Sequence, residues 1–575
     1  MSATARPSAA APATRCGSDA GVALVWVALL IGVLLSMAGF AIDVGRWYLE
    51  SGRIQNAADA AALGGVVFMP GDPAEASAVA HRIASDHGYD GGEVAVEEGS
   101  SPGQLRVTID HEVSNWFAAL VGVDTTTITE TAVAEYVGPV PMGSPDNELG
   151  NDPERDGDQP DLFVGIAGPE NSKRNGDRYQ TTRCSSGDTR CSGGANTEYT
   201  QAGYTYAVRV SSVSSEPLRI QVYDPAWVEL GNNCDRGMPS STQRAALAAL
   251  DEAAHGLPDG WFDDAEERYR PGRTFWCTGD NMAGSTDQRT SYVVRAPDET
   301  PWRDDDNPII DTATCRPTTM PSWRLSDSTA HDMLHPTAGP ADGQWVVDPD
   351  DDEWTFAEVF RRWVTVCEVP ASQVHLGDYL VQIRTNASPG SPTAYDASVR
   401  TSGQNFFSLR AGMASGEGVT GDGVALFGRG RMAIYANVPG ADTSFTLARV
   451  LPAPRDRTLI VEMFDVGDAA ANGSIRVLPP ADANLGSFSD CNFERDGGGS
   501  LTVNADTCTL SNVRASNGYN GRTVTVEVPI PAGYDCAETS PTGCWVTLLA
   551  DFPSEITDFT TWSASIDGDP VRLVE

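Results

Sequence analysis

The longest apolar stretch of the chain runs from Gly21 to Ile42 and contains no charged residue. As a helix that rises ~1.5 Å per residue, it matches the ~30 Å thickness of the hydrocarbon core of a bilayer. A secretory signal peptide is the competing interpretation, because Gly39, Phe40 and Ala41 offer a cleavage site. The apolar region of a signal peptide is, however, usually only ~7–15 residues long. We therefore predict a retained transmembrane helix over residues 21–42.

The residues that flank this run favour one orientation in the membrane. Arg6 and Arg15 precede it and Asp43 follows it directly, and cytoplasmic flanks carry the excess of basic residues. We predict that residues 1–20 are a cytoplasmic tail and that the chain after residue 42 lies on the extracytoplasmic side of the membrane. The net charge of the chain is -40, so a nucleic-acid partner is excluded, because phosphate binding needs clustered cations.

The cysteines are distributed as this orientation requires. Of the 11 cysteines, Cys16 alone precedes the apolar run, and an even number in an exported region predicts disulfides. The sequence contains no CxxC pair, so it does not indicate a zinc site. Cysteines that are close in sequence meet at small loop-closure cost, and the remaining four are paired in sequence order. The predicted pairs are Cys184–Cys191, Cys491–Cys508, Cys536–Cys544, Cys234–Cys277 and Cys315–Cys367, with Cys16 reduced.

The sequence that follows the apolar run, residues 43–65, reads DVGRWYLESGRIQNAADAAALGG. Together with that run it resembles the N-terminal segment of TadG-like (TadE/TadG-like) proteins of the Flp, or tight-adherence, pilus-assembly system. The resemblance extends more loosely to Tyr136. It implies a membrane-anchored, extracytoplasmic accessory protein of pilus assembly or cell-surface attachment, whose partners are the lipid bilayer and other pilus-assembly proteins. The residues that carry it are Asp43, Gly45, Arg46, Tyr48, Gln55, Asn56, Ala57, Ala58, Asp59, Ala60, Ala61 and Leu63.

Two departures limit what the resemblance implies. Prepilins and TadE-type pseudopilins carry a glutamate a few residues after their processing glycine, whereas Gly21 is followed by VALVW. We therefore expect no prepilin processing and no incorporation into a filament. Some TadG-like proteins also carry a von Willebrand type A domain with a DxSxS metal-binding loop, and this sequence has no such string.

Helical spacing of apolar and small residues continues beyond the membrane, at Val44, Tyr48, Ile54, Ala58, Ala61 and Ala62. The alanine stripe either lets another backbone approach closely or packs on its own domain. A helix that continued to Leu63 would reach roughly 30 Å beyond the bilayer and hold the globular modules off its surface.

A small α+β unit is predicted over residues 43–137. Its second helix has Asp72 as N-cap, Pro73 at the first helical position and Gly88 as the stop signal. Residues 138–160 are rich in proline, glycine and acids and predict a linker. The unit also contains the apolar Trp116–Leu120 stretch, and its strands are predicted at Gly92–Val96, Gln104–Ile109 and Thr125–Val133.

Beyond the linker, short alternating strands with turn signals predict mainly antiparallel β-sandwich modules at residues 161–438 and 439–575. A helical insertion is expected between Ser240 and Arg270. Leu218–Tyr223 and Leu459–Phe464 each end with an aromatic residue and are followed by Asp, which indicates a duplication, although two ordinary hairpins would look much the same. The other strands are predicted at Asp161–Ile166, Tyr204–Val213, Trp363–Val369, Tyr379–Arg384, Phe406–Arg410 and Arg431–Tyr435.

We expect no enzymatic activity and no cofactor, since GxSxG, Walker and HExxH motifs are absent from the sequence. His331 and His335 have the spacing of a metal pair on a helix, but Pro336 favours a loop. Acidic clusters at 304–307, 348–353 and 152–157 offer carboxylates to calcium, with solvated surface as the alternative. The alternative function is a carbohydrate- or ligand-binding surface protein, with aromatic contacts from Trp227, Trp261, Trp302, Trp345 and Trp354.

Overall fold

A computed structural model describes residues 19–69, 72–99, 103–153, 162–231, 234, 241–242, 245, 268, 276–281, 288–298, 304–324, 354, 356–439, 442–453, 456–567 and 571–574. The helical insertion expected between Ser240 and Arg270 lies almost entirely outside these residues. The helices are Asp19–Gly65 (α1), Pro73–Asp86 (α2) and Phe356–Val359 (α3).

Helix α1 is unbroken over 47 residues. Its first half is the apolar run, and within the described residues it is the one helix long and apolar enough to cross a membrane. The predicted continuation of the helix past Asp43 to Leu63 is confirmed. Alanine-rich sequence after Asn56 favours helix intrinsically, so propensity and packing agree here.

The second half of α1 packs on a small four-stranded sheet. Its strands are Val94–Glu98 (β1), Gln104–Ser114 (β2), Thr125–Tyr136 (β3) and Val571–Leu573 (β30), in the order β1-β2-β3-β30. Helix α2 covers the same region, and its N-cap Asp72 accepts a hydrogen bond from the Glu75 backbone N–H at 3.0 Å. The alanine stripe of α1 packs on its own domain and not on another chain's backbone, because its alanines are buried in the core of this unit. The buried alanines are Ala57, Ala58, Ala61 and Ala62.

This membrane-proximal unit, formed by α2 and the small sheet, packs on the part of α1 that follows the apolar run. The predicted extension of the helix beyond the apolar run is present, and the predicted α+β unit packs along it, because β2 and β3 run beside the helix from the level of Asp43 onward. The α+β unit itself is the spacer, and the C-terminal strand β30 pairs with β3 at its distal end.

The rest of the described chain forms two large, mostly antiparallel sheets that share one hydrophobic core. The predicted mainly antiparallel sandwich is confirmed. The strands are Pro141–Met142 (β4), Glu148–Leu149 (β5), Leu162–Ala167 (β6), Cys191–Ser192 (β7), Ala195–Asn196 (β8), Tyr204–Val210 (β9), Leu218–Tyr223 (β10), Trp227–Val228 (β11), Thr290–Arg295 (β12), Thr318–Met320 (β13), Ser322–Trp323 (β14), Trp363–Val369 (β15), Gly377–Arg384 (β16), Gln404–Ser415 (β17), Gly418–Thr420 (β18), Val424–Arg429 (β19), Arg431–Pro439 (β20), Thr443–Arg449 (β21), Arg457–Phe464 (β22), Gly473–Leu478 (β23), Asn492–Arg495 (β24), Thr502–Asn504 (β25), Thr509–Val513 (β26), Thr523–Ile530 (β27), Trp545–Asp551 (β28) and Glu555–Ile566 (β29).

The two halves of the sandwich repeat one plan. In the first sheet the order β15-β10-β17-β6 is followed by β20-β29-β22-β27, and in the second sheet β13-β12-β16-β9 faces β21-β28-β23-β26 across β19 and β4. Each of these strands thus has a counterpart at the same place in the chain order of the other half. Because the junction strands β6 and β20 are antiparallel, an approximate two-fold axis relates the halves. The predicted equivalence of Leu218–Tyr223 and Leu459–Phe464 is confirmed.

The aromatic-Asp motif marks the same turn in both halves. Asp224 and Asp465 follow β10 and β22, are buried, and both have left-handed backbone conformations, with φ of 53° and 60°. Asp is among the few residues other than Gly that tolerate this region. The Asp224 carboxylate accepts a hydrogen bond from the Arg361 N–H at 2.9 Å, and that of Asp465 accepts one from the Gly521 N–H at 2.6 Å. Each aspartate thus fixes the approach to the next counterpart strand, β15 or β27.

The first strands of the two halves are exchanged. Strand β4 precedes β6 in the chain yet pairs with β21 of the second half, while β19 precedes β20 and pairs with β9 of the first half. The described part of the predicted linker is therefore built into the sheets, because Val140, Met142 and Leu149 are apolar and fill the shared core. Likewise, the module boundary drawn at residues 438 and 439 falls inside β20, and the sheets continue across it.

Five disulfides join the pairs expected from the sequence: Cys184–Cys191, Cys234–Cys277, Cys315–Cys367, Cys491–Cys508 and Cys536–Cys544. Each bridge lies within one half of the sandwich. Cys16 lies outside the described residues.

A buried carboxyl in β29 predicts an unusual pH dependence of stability. Burial, and then the neighbouring Asp468, raise the pKa of Asp558 from the ordinary 3.8 to about 8. A raised pKa means that the folded state binds the proton more tightly, so stability falls as pH rises from about 4 to about 8. The Asp558→Asn variant should match the wild type at pH 4 and be more stable at pH 9, by roughly 2 kcal/mol or more.

The counterpart of Asp558 in the first half is Asn405, which donates hydrogen bonds to Pro225 O and Thr290 Oγ1, each at 2.9 Å. The fold therefore accepts an amide side chain at the position in the first half that corresponds to Asp558. The measurement is the denaturant midpoint of the wild type and of Asp558→Asn at pH 4 and at pH 9. If the two midpoints differ by the same amount at both pH values, the raised pKa of Asp558 is contradicted.

Candidate functional site at the membrane-proximal end

Asp43, the first residue after the apolar run, holds the tip of the β2–β3 hairpin. Its carboxylate accepts hydrogen bonds from the backbone N–H groups of Trp116, Phe117 and Ala118, at 3.0, 2.8 and 2.7 Å. Burial raises the pKa of Asp43, but these three donors and Arg46 outweigh it, so the pKa is lowered. The carboxylate therefore stays charged while it ties α1 to the hairpin.

Two further side chains of the segment join the helix to the same hairpin. Arg46 donates to Ser114 O at 2.7 Å, and its guanidinium lies 4.5 Å from the centre of the Trp116 ring. Trp47 donates from Nε1 to Asn115 Oδ1 at 2.8 Å. These contacts place the hairpin tip at one fixed height on α1, level with the end of the apolar run.

The polar residues of the QNAADAA stretch divide between the two sides of α1. Gln55 donates to Asp59 Oδ1 at 2.7 Å and to Thr131 O at 3.3 Å, so both side chains serve the contact between the helix and β3. Ala60 and Leu63 are half-buried. Asn56 is exposed on the opposite side.

An exposed stripe remains on α1, formed by Gly45, Tyr48, Leu49, Gly52 and Asn56. These positions recur every three or four residues and so share one helix face. Tyr48 is 81% exposed, and a methyl group added at Gly45 or Gly52 would meet nothing within 4 Å. We call this face the 45–56 stripe, and it is open to another macromolecule.

A cleft of about 410 Å³ separates the distal end of the membrane-proximal unit from the sandwich. Part of its charged lining forms ion pairs: Arg209 binds Asp378 at 2.7 Å, and Arg429 binds Asp304 at 2.8 Å. Glu135 of β3 binds Arg457 of β22. The Glu135–Arg457 pair therefore joins the two parts of the chain across the cleft.

The structure changes the interpretation of several predicted ligands. Asp152 is not solvated surface, since it is buried and accepts a hydrogen bond from Trp363 Nε1 at 2.9 Å. Trp227 is buried and Trp354 is half-buried, so neither offers an open aromatic face to a glycan. Asp304 pairs with Arg429, as above.

Several other predicted ligands fall on residues that the structure does not describe. These are His331, His335, the 348–353 cluster, Trp261, Trp302 and Trp345. Within the described part of the chain, one cluster has metal-ligand spacing, Cys184, Asp188 and Cys191, but its two sulfurs form a disulfide.

Sequence reasoning missed the role of Asp43 and the exposure of the hairpin tip. The Trp116–Leu120 stretch looks like core in the sequence, because its residues are apolar. The only available signal was its position between two β-branched strands and beside a glycine, Gly122, which is typical of a turn.

The comparisons with known proteins agree with the position of this site. Residues 21–76 match the family described as putative Flp pilus-assembly TadE/G-like. No curated protein and no solved structure matches the chain. The matched segment comprises α1 from Gly21, the turn after it and the start of α2, and so includes the apolar run, Asp43 and the 45–56 stripe. The N-terminal region of this chain is thus similar to the TadE/G-like family of putative Flp pilus-assembly proteins, and it is built on one helix that is long and apolar enough to cross a membrane.

Proposed function

We propose that the protein is a membrane-fixed, extracytoplasmic accessory component of Flp pilus assembly or of the surface attachment that such pili provide. The observation that carries this proposal is the TadE/G-like match over residues 21–76 on a single unbroken helix. The helix anchors the chain, and the sandwich projects beyond the α+β unit on the other side of the membrane from the N-terminus. We expect a structural and not an enzymatic role, since the sequence contains no GxSxG, Walker or HExxH motif.

The flanking charges and the disulfides support the proposed orientation in the membrane. Arg6 and Arg15 lie before the span, and five disulfides lie beyond it, as an oxidising compartment permits. Protease digestion of intact cells should remove the sandwich and leave a membrane-embedded N-terminal fragment. Recovery of the protein in the medium with an N-terminus near Ile42 would show a cleaved signal peptide instead.

The 45–56 stripe is the surface through which we propose that the protein contacts other pilus-assembly proteins. Gly52→Leu and Asn56→Arg should keep the fold, because both positions are open, and Gly52→Leu should even raise helix stability by up to about 1 kcal/mol. Both variants should reduce pilus number and surface adhesion several-fold in the native host. Electron microscopy and an adhesion assay of a complemented deletion strain provide the measurement.

Ser85→Arg provides the matched control, because Ser85 is exposed on α2 away from the stripe. It should accumulate in the membrane and support pili like the wild type. Normal piliation with both stripe variants, at normal protein levels, would rule out this surface as the contact, and normal piliation of the deletion strain would rule out the function.

A further inference from the structure

The tip of the β2–β3 hairpin exposes a compact set of apolar side chains. Residues 114–123, with the sequence SNWFAALVGV, contain no charged residue. Leu120 and Val121 are more than 80% exposed, and Trp116 is 62% exposed. A protein in water usually avoids such a cluster, so an apolar surrounding is indicated.

The position of the tip identifies that surrounding. A methyl group added at Gly39 would lie 2.5 Å from Cδ1 of Phe117, so the Phe117 ring packs directly on the helix backbone. Gly39 belongs to the apolar run that ends at Ile42. If that run lies in the hydrocarbon, the hairpin tip lies at the depth of the last turn of the run. The outward side chains of the tip then meet the same lipid as the exposed helix residues beside them.

The polar groups around the tip suit the boundary of a bilayer. Trp116 has its ring under the Arg46 guanidinium at 4.5 Å, and tryptophan and arginine are both favoured at the level of lipid head groups. Three backbone N–H groups of the tip, which would be costly in lipid, donate to Asp43. The turn is therefore prepared for a weakly polar medium.

We propose that residues 116–123 insert into the leaflet into which α1 emerges, as a second membrane contact beside the helix. This inference rests on the proposed anchoring by α1 and adds a lipid-binding surface to it. Insertion at two points, the helix and the hairpin, fixes the tilt and rotation of the α+β unit on the membrane. The 45–56 stripe is then presented at a constant height and direction to its partner.

Fluorescence of a polarity-sensitive probe in vesicles tests this inference. The full chain, with Cys16→Ser to remove the free thiol, carries a single NBD-labelled cysteine at Leu120 and is reconstituted into phosphatidylcholine–phosphatidylglycerol vesicles. The emission at Leu120→Cys should shift to the blue, and spin-labelled lipid should quench it several-fold more strongly than aqueous iodide does. The control Val213→Cys, an exposed apolar position in the sandwich, should behave in the opposite way.

A label at Leu29→Cys, inside the apolar run, tests the anchoring by α1 separately from the insertion of the hairpin tip. Lipid quenching at Leu29 with aqueous behaviour at Leu120 would overturn the hairpin insertion and leave the anchor intact, whereas aqueous behaviour at Leu29 would overturn the anchor itself. A blue shift at Leu120 without lipid quenching would show that a second copy of the chain covers the hairpin, which also overturns insertion.

Discussion

Glu198→Gln should lower the stability of the sandwich by about 3 kcal/mol, among the largest effects of any single substitution in this chain. The Glu198 carboxylate accepts hydrogen bonds from three cations: Lys173 at 2.6 Å, Arg178 at 2.8 Å and Arg190 at 2.9 Å. Lys173 and Arg178 are almost fully buried. Glutamine keeps the shape of the side chain but leaves buried cations short of one negative charge.

The network also ties the two halves of the sandwich together. Arg178 donates to Glu462 of β22 at 2.9 Å, and Arg190 donates to Asp496 at 3.1 Å. The cations belong to the segment between β6 and β9 in the first half, and both carboxylates belong to the second half. Loss of Glu198 should therefore weaken the junction between the repeats.

The pH dependence gives an independent signature. Burial raises the pKa of Glu198, but hydrogen bonds from Arg178 and Lys173 outweigh it and lower the pKa to about 2. A lowered carboxyl pKa gives stability that is present above the unfolded value of about 4.5 and is lost as pH falls towards about 2. Urea midpoints should therefore decline over this range in the wild type, and the decline should be smaller in Glu198→Gln.

Glu170→Gln is the matched control, since Glu170 pairs with Arg183 and Arg400, whose side chains are mostly exposed. Exposed ion pairs contribute ~0–1 kcal/mol. Equal midpoints for the two variants would show that the Glu198 network does not stabilise the junction.

The second large effect is expected at Glu135, where Glu135→Gln should weaken the attachment of the membrane-proximal unit by about 3–5 kcal/mol. Glu135 is buried at the end of β3 and binds Arg457 of β22, in the sandwich, and Arg572 of β30, from which it accepts a hydrogen bond at 2.9 Å. One carboxylate thus joins three parts of the chain. Without its charge, Arg457 remains in the cleft without this partner.

Hydrogen exchange locates this loss. In Glu135→Gln, amide protons of β30 and the end of β3 should exchange faster, while strands β17 and β29 in the sandwich core keep their protection. Glu98→Gln, an exposed position on the same small sheet, should change stability by no more than about 0.5 kcal/mol. Unchanged exchange of β30 in Glu135→Gln would mean that backbone pairing alone holds the unit.

The sequence by itself determined the features that depend on local pattern. The uncharged run Gly21–Ile42 permits little besides a membrane-length helix, because its backbone and side chains suit hydrocarbon. The alternation of β9, β10 and β15 indicated strands, and the Asp72 and Pro73 pair indicated the start of α2. The repeated aromatic-Asp ending was readable as well, because a turn that requires a left-handed residue recurs at Asp224 and Asp465.

Only the tertiary structure decided how distant segments meet. The same apolar letters describe a core residue such as Val164 and an exposed one such as Leu120, and no local pattern separates them. The segment 138–160 has the composition of a linker, yet Met142 and Leu149 complete sheets whose other strands lie far along the chain. Burial and charge pairing depend on contacts between residues hundreds of positions apart, such as Glu135 with Arg457, and those contacts exist only once the membrane-proximal unit and the sandwich have folded against each other.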